Sequence, residues 1–149
     1  MSPTPDPTPA RLRGIPSRLI AGAAAVADRL VTTRLAAEGA RKWHFAVLVT
    51  LAEAGAASQA ELSRRTGIYR SDMVAVLNEL ADDEYIRRQP DPSDGRRNVI
   101  TLTRAGRRRL ERLDALIADA QCELLAPLTP RQQDELTRLL TVLTEHHRA

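Results

Sequence analysis

The sequence is poor in the residues that several classes of protein require. Its 149 residues include one cysteine, and aromatic residues make up 3% of the chain. The single cysteine, Cys122, excludes an intramolecular disulfide and makes a reducing compartment the default expectation. No apolar run approaches the roughly eighteen residues of a membrane span, and the N-terminus lacks the layout of a signal peptide. We therefore expect a soluble, cytoplasmic protein of one domain or one compact subunit of an oligomer, with no membrane partner.

Catalytic and metal-binding patterns are also missing. The sequence has no Gly-rich phosphate loop, no HExxH motif and no Ser/His/Asp arrangement. The acidic run Asp82-Asp83-Glu84 lies at a predicted helix end, where solvent exposure explains it. His146 and His147 lie near the C-terminus without the cysteine or carboxylate cluster that a metal site needs. We therefore predict no enzyme activity, no catalytic residue, no metal and no cofactor.

What the chain has is an aliphatic core and a local excess of positive charge. Apolar residues make up 43% of the chain, mainly Leu, Val and Ala, and this composition favours helices. The net charge is +3, and residues 58–109 carry all of it, with 11 Lys+Arg against 8 Asp+Glu. A polyanionic partner would require such a concentration, although an excess of three charges also lies within ordinary scatter.

Apolar spacing predicts helices over both ends of the chain. Helical periodicity covers residues 15–35, and residues 43–54 are so apolar that this second helix should be buried on most sides. A long helix over 104–125 carries an apolar seam that requires a partner helix. The last helix begins at Thr129 with a capping threonine followed by Pro130. Residues 1–14, with prolines at 3, 5, 7 and 9, read as a disordered arm.

Two short helices in the middle of the chain form a predicted helix-turn-helix. Ser58 and Glu61 form a capping box for the first helix, which ends at Gly67. The second helix begins near Arg70 and buries Met73, Val76, Leu77 and Leu80. Its opposite face carries Arg70, Ser71, Asp72, Ala75 and Asn78. The second helix of such a pair lies in the major groove of DNA.

A basic hairpin follows the second helix. Residues 85–88 and 99–102 have the composition of two short strands. Between them the turn residues Asp91-Pro92 and Gly95, the last expected at positive φ, precede Arg96 and Arg97. Thr103 is the predicted N-cap of the long helix. A hairpin with guanidinium groups at its tip indicates a wing that contacts nucleic acid, and the alternative is a solvated tip.

Four segments resemble the MarR family of bacterial winged helix-turn-helix regulators. They are SQAELSRRTG (58–67), RSDMVAVLNEL (70–80), YIRR (85–88) and DPSDGRRNVITLTRAG (91–106). The last is the most specific, since it is close to the family's wing signature, D-P-x-D-x-R followed by L-T-x-x-G. The outer helices match in layout only.

The resemblance implies a mainly α fold with a small β-hairpin wing and with dimerisation helices at both ends of the chain. Residues 15–40 and 107–149 would form the helical dimerisation region, and 41–106 the DNA-binding domain. The implied function is transcriptional regulation, more often repression, by a homodimer on a pseudo-palindromic site of double-stranded DNA. A small, often aromatic, effector usually controls such regulators.

Residue by residue, the resemblance places Arg96 in the DNA minor groove, with Asp94 as the acid that holds its side chain and Arg97 as a basic neighbour. Ser71 and Asn78 occupy base- or phosphate-contacting positions, and Asp72 would accept from a cytosine or pair with an arginine. Glu84 stands where a helix-ending glycine is usual, which should change the helix end or cost stability. Further predicted DNA contacts are Arg70, Ser58, Arg64 and Arg87.

Several sites carry competing interpretations. Trp43, His44, Arg18 and Tyr85 fit the family's effector cleft, but a lone Trp on an apolar helix is more often part of the core. Cys122 could sense oxidants, although a buried structural thiol is favoured on an apolar helix seam. For the whole chain, the alternatives to a ligand-responsive regulator are a winged-helix module for protein assembly and a constitutive DNA binder.

Overall fold

The computed structural model describes residues 2–148, which form seven helices and three strands. In chain order these are α1 (Ala10–Arg13), α2 (Pro16–Ala36), α3 (Lys42–Ala54), β1 (Ala57–Ser58), α4 (Gln59–Thr66), α5 (Arg70–Asp82), β2 (Ile86–Pro90), β3 (Asn98–Leu102), α6 (Arg104–Leu125) and α7 (Pro130–His146). The predicted order of helices and hairpin is confirmed. A single turn, α1, lies inside the segment that the proline pattern predicts as disordered. No helix within residues 2–148 is long and apolar enough to cross a membrane.

The sheet is antiparallel, with β3 between β1 and β2. Ile86 pairs with Leu102 and Pro90 with Asn98, so β2 and β3 form the predicted hairpin. The short strand β1 pairs Ala57 with Ile100 and was not predicted, because a two-residue strand has no alternation to read. It fixes the hairpin to the chain segment that starts α4.

The chain forms two compact units. One contains residues 31–118, and the other combines residues up to Leu30 with residues from Asp119 onward. The core cluster belongs to the first unit, here called the winged unit; we call the other the terminal unit. The fully buried side chains of that core come from α2 to α6 and include Leu35, Leu48, Leu51, Leu62, Met73, Leu77, Ile100 and Leu113.

The caps predicted for the starts of α4 and α7 are present, whereas the end of α5 differs from the expectation for Glu84. Ser58 Oγ accepts from the Glu61 N–H at 3.2 Å, and Thr129 and Gln132 form a complete capping box. At the end of α5, Glu84 takes a φ of 61°, and the Tyr85 N–H donates to the Leu80 carbonyl at 2.9 Å. The helix therefore keeps a left-handed ending without glycine, so the expected change of geometry does not occur.

Gly106 is required by a close approach between α6 and the start of the wing. Thr103 Oγ1 caps α6 by accepting from the Gly106 N–H at 3.0 Å, as predicted, and donates to the Glu84 carbonyl at 2.7 Å. A Cβ on Gly106 would overlap the Tyr85 carbonyl oxygen and lie 2.6 Å from Leu102 Cδ1. Only glycine allows this contact between α6 and the chain entering β2.

Candidate nucleic-acid interface

The wing tip is a closed polar turn that presents Arg96 and Arg97 to solvent. The Asp91 N–H donates to the Arg97 carbonyl at 2.7 Å, and the Arg97 N–H donates to the Asp94 carbonyl at 3.0 Å. These bonds close the turn without a positive φ at Gly95. Among the described residues, the glycines with a positive φ are Gly39, Gly55 and Gly67. The expectation for Gly95 was wrong.

Two aspartates stabilise the backbone of the tip. Asp91 Oδ1 accepts from the Ser93 N–H at 2.9 Å and from its hydroxyl at 2.8 Å, and these bonds hold the pKa of the Asp91 carboxyl below its usual value. Asp94 Oδ1 accepts from the backbone N–H of Arg96 at 3.1 Å. This bond shows that the Asp94 carboxylate shapes the turn, and a role in holding the side chain of Arg96 stays a prediction. The guanidinium group of Arg96 extends from a turn whose backbone is already fixed.

The second helix of the helix-turn-helix, α5, is divided into a buried and an exposed face. Met73, Val76, Leu77 and Leu80 are all at most 3% exposed. Arg70, Ser71, Val74, Ala75, Asn78 and Glu79 are exposed on the other side, and Asp72 is half-buried. At its N-terminus Tyr69 is 79% exposed. The buried residues recur at spacings of three and four along α5, and the buried and exposed faces predicted from the sequence are confirmed.

A side-chain hydrogen bond joins this exposed face to the wing. Arg88 Nη1 donates to Asn78 Oδ1 at 2.8 Å, and both side chains are exposed. The DNA contacts predicted from the sequence include Arg87 but not Arg88. Strand alternation was the available signal, since residues two apart share a face and Ile86 is buried against the core. Arg88 therefore lies on the α5 side of the wing, and Arg87 on the other side.

Glu79, an acid on the exposed face of α5, pairs with side chains at the N-terminal end of α3. The Arg41 guanidinium donates to both Glu79 carboxylate oxygens, at 2.6 and 2.7 Å. His44 Nδ1 accepts from the Arg41 N–H at 3.1 Å, so its Nε2, 2.6 Å from Glu79, carries the proton in the neutral ring. Arg41 first, and His44 after it, hold the pKa of Glu79 below its usual value against the opposing effect of burial. The carboxylate on the predicted DNA-facing side is thereby paired with a cation.

The other predicted DNA contacts, Ser58, Arg64 and Arg87, differ in side-chain exposure and in hydrogen bonding. Ser58 is half-buried and its hydroxyl accepts the capping bond described above, whereas Arg64 and Arg87 are exposed. These geometries leave Arg64 and Arg87 as candidates for phosphate contacts and make capping the main task of Ser58.

The four predicted effector residues do not share one environment. Trp43 is 40% exposed, contrary to the core interpretation, and with Thr32, Arg41 and Lys42 it lines an open cavity of about 320 Å³. His44 is 8% exposed, with both ring nitrogens engaged as described. Tyr85 is half-buried beneath the Arg109 guanidinium, whose carbon lies 5.3 Å from the ring centroid. Arg18 is exposed and belongs to the terminal unit.

Arg109 is a buried charged side chain on α6. Arg109 is 9% exposed; it donates to the Glu38 carbonyl and lies 3.3 Å from the Glu38 carboxylate. This buried cation packs the end of α2 against the start of the wing within the winged unit.

Cys122, also on α6, is exposed. The favoured interpretation of a buried thiol was therefore wrong for this chain, because helical spacing did not show that position 122 lies off the buried side of α6.

Comparisons with known proteins agree with this geometry. A family model described as the MarR family matches residues 38–97. The HTH-type transcriptional repressor Rv2887 of Mycobacterium tuberculosis is 35% identical over 99 residues, which are 66% of this chain and 71% of the repressor. A mutant MarR from E. coli, solved in complex with operator DNA, has a TM-score of 0.76 at 25% identity, covering 91% of this chain and 99% of that one. The PcaV transcriptional regulator from Streptomyces coelicolor, solved with its natural ligand, has a TM-score of 0.76 at 27% identity, covering 93% and 97%.

Proposed function

The chain belongs to the MarR family of DNA-binding transcriptional regulators, and from this premise we propose that it is a repressor. The proposed repressor binds a pseudo-palindromic operator as a homodimer and is released by a small aromatic ligand. Membership also confirms that the chain is a regulator and not an enzyme. The observation that carries the proposal is one exposed surface of the winged unit. It combines the polar face of α5 with the wing, and Arg88 and Asn78 join the two.

The surface suits the two grooves of DNA in different ways. The exposed face of α5 offers hydroxyl, amide and guanidinium groups to base edges in the major groove. Arg96 and Arg97 at the wing tip suit a narrow minor groove, where A·T tracts concentrate negative potential. Arg64, Arg70 and Arg87 would add phosphate contacts that carry no sequence information. The E. coli relative solved with operator DNA supports this use of the fold.

The homodimer is proposed from the terminal unit. Large apolar side chains of α2 and α7 are exposed there, among them Leu19 at 56%, Leu139 at 47% and Val142 at 55%. The same unit contains an apolar groove of about 520 Å³, lined by Leu19, Ile20, Ala23, Ala24, Ala27, Leu124, Leu125, Pro127, Leu128, Leu136 and Leu140. Contiguous apolar surface of this kind marks an interaction site. A second copy of the chain would cover it, with residues 15–40 and 107–149 as the dimerisation region and 41–106 as the DNA-binding domain.

The ligand is proposed at the Trp43 cavity. Arg41 lies with its guanidinium carbon 6.0 Å from the Trp43 ring centroid while it also pairs with Glu79, and Lys42 adds a second cation, so the two cations outnumber this carboxylate. Cations beside an indole suit an aromatic anion, and the Streptomyces coelicolor relative was solved with a natural ligand. Because Trp43 is the sole tryptophan, its fluorescence should change on titration with an aromatic acid that also weakens DNA binding. Unchanged fluorescence across a panel of aromatic acids would reject this site.

The proposed function is tested by binding to the DNA upstream of the protein's own gene. A repressor should give a retarded complex whose footprint contains two half-sites about one helical turn apart, and sedimentation should show two protein chains per duplex. The competing function is a winged-helix module for protein assembly. Absence of binding to any duplex at low salt would support that alternative and reject the repressor.

A further inference from the structure

An apolar side chain lies exposed in the middle of the polar face of α5. Val74 is 47% exposed, whereas the other bulky apolar residues of that helix are buried. Positions 70, 74 and 78 are separated by four residues and so lie along one side of the helix. Val74 therefore lies between Arg70 and Asn78, and the exposed Ala75 beside it adds a second small apolar surface.

The surroundings of Val74 favour contact with DNA over a purely solvated position. Scattered exposed valines are ordinary on protein surfaces, but this one is flanked by groups that suit base edges. The nearby acid, Glu79, forms an ion pair with Arg41 and a hydrogen bond with His44, so the Arg41 guanidinium already compensates its charge. The Glu79 carboxylate therefore does not oppose the approach of α5 to DNA.

Within the major groove, one base offers an apolar group. Thymine carries a C5-methyl, whereas the other base edges present donors and acceptors, and small apolar side chains contact that methyl. We infer that Val74 is a specificity-determining residue that contacts the C5-methyl of a thymine in each operator half-site. This inference rests on the proposed function, because it needs α5 in the major groove.

Helix geometry limits where that thymine lies. Four residues advance a helix by about 6 Å, and successive base pairs are about 3.4 Å apart. The thymine should therefore lie within about two base pairs of the base nearest Asn78. Ala75 leaves room beside Val74 for the methyl group.

The experiment begins by selecting duplexes from a random-sequence library with the full-length protein. Each thymine of the selected site is then replaced, symmetrically in both half-sites, by deoxyuridine, which lacks only the methyl group. At one symmetric position the wild-type protein should bind the deoxyuridine duplex about three- to tenfold more weakly. Val74→Ala should lose a similar factor on the thymine duplex and bind both duplexes equally at that position.

Ser71→Ala provides the matched control, since it removes a hydroxyl from the same face and leaves Val74 in place. It should still distinguish thymine from deoxyuridine. The inference is overturned by selected sites without a fixed thymine, by equal binding of all deoxyuridine duplexes to the wild type, or by a deoxyuridine loss that persists in Val74→Ala. Failure to enrich any duplex would instead reject the proposed function itself.

Discussion

Arg88 of β2 and Asn78 of α5 are joined by a hydrogen bond of 2.8 Å from the guanidinium Nη1 to the amide Oδ1. The bond connects the wing to the helix that the family places in the major groove. It also orients the amide of Asn78, because one carbonyl lone pair is occupied and the NH₂ group is directed elsewhere.

The pair should contribute to DNA affinity more than to folding. Exposed polar pairs add little to stability, so Arg88→Ala and Asn78→Ala should each change the free energy of unfolding by less than about 0.5 kcal/mol. In operator binding both should weaken affinity, and the double variant should lose less than the sum of the two. Fluorescence anisotropy on the four proteins measures this. Fully additive losses would show that Arg88 does not orient Asn78.

The Arg41–Glu79 pair should make stability depend on acid pH. The pKa of Glu79 is lowered in the folded protein, chiefly by Arg41. The stabilising contribution is therefore complete above the unfolded-state pKa of about 4.3 and is lost as the pH falls through the lower folded value. In urea titrations, Glu79→Gln should lose less stability than the wild type between neutral pH and this acid range. Glu53→Gln, which alters an exposed carboxylate on α3, is the control and should follow the wild type.

Gly106→Ala should destabilise the protein by about 1–3 kcal/mol, since the new methyl group overlaps the Tyr85 carbonyl and Leu102. Gly95→Ala is the matched control, because its Cβ would meet nothing within 4 Å and Gly95 has no positive φ. Thermal unfolding should therefore separate the two variants. Similar melting temperatures for both would contradict the close approach of α6 to the wing.

Glu84→Gly should stabilise the protein by about 1 kcal/mol, because a side chain at φ 61° carries a steric cost that glycine avoids. Asp83→Gly tests the specificity of the effect, since Asp83 has a φ of −85° and gains nothing from glycine. Urea midpoints that rise for Asp83→Gly and not for Glu84→Gly would rule out the left-handed ending of α5.

Local signals in the sequence predicted the helices, the helix-turn-helix and the hairpin. The buried positions of α5, the cap at Thr103 and the capping box at Thr129 follow from spacing and residue type within a few positions of the chain. Contacts between distant positions were not predictable. Arg41 meets Glu79 across 38 residues, and Trp43 is exposed because its side of α3 faces an open cavity. Apolar content alone did not indicate which side of α3 is buried.

The wing assignment is tested most directly by the salt dependence of operator binding for Arg96→Ala. Each phosphate charge that the protein neutralises contributes about 0.9 to the slope of log K against log salt. Removal of Arg96 should therefore weaken binding and reduce the slope by about one unit for each wing engaged. Arg131→Ala removes the same charge from the terminal unit and should leave the slope unchanged. A slope for Arg96→Ala equal to that of the wild type would contradict the placement of the wing tip on DNA.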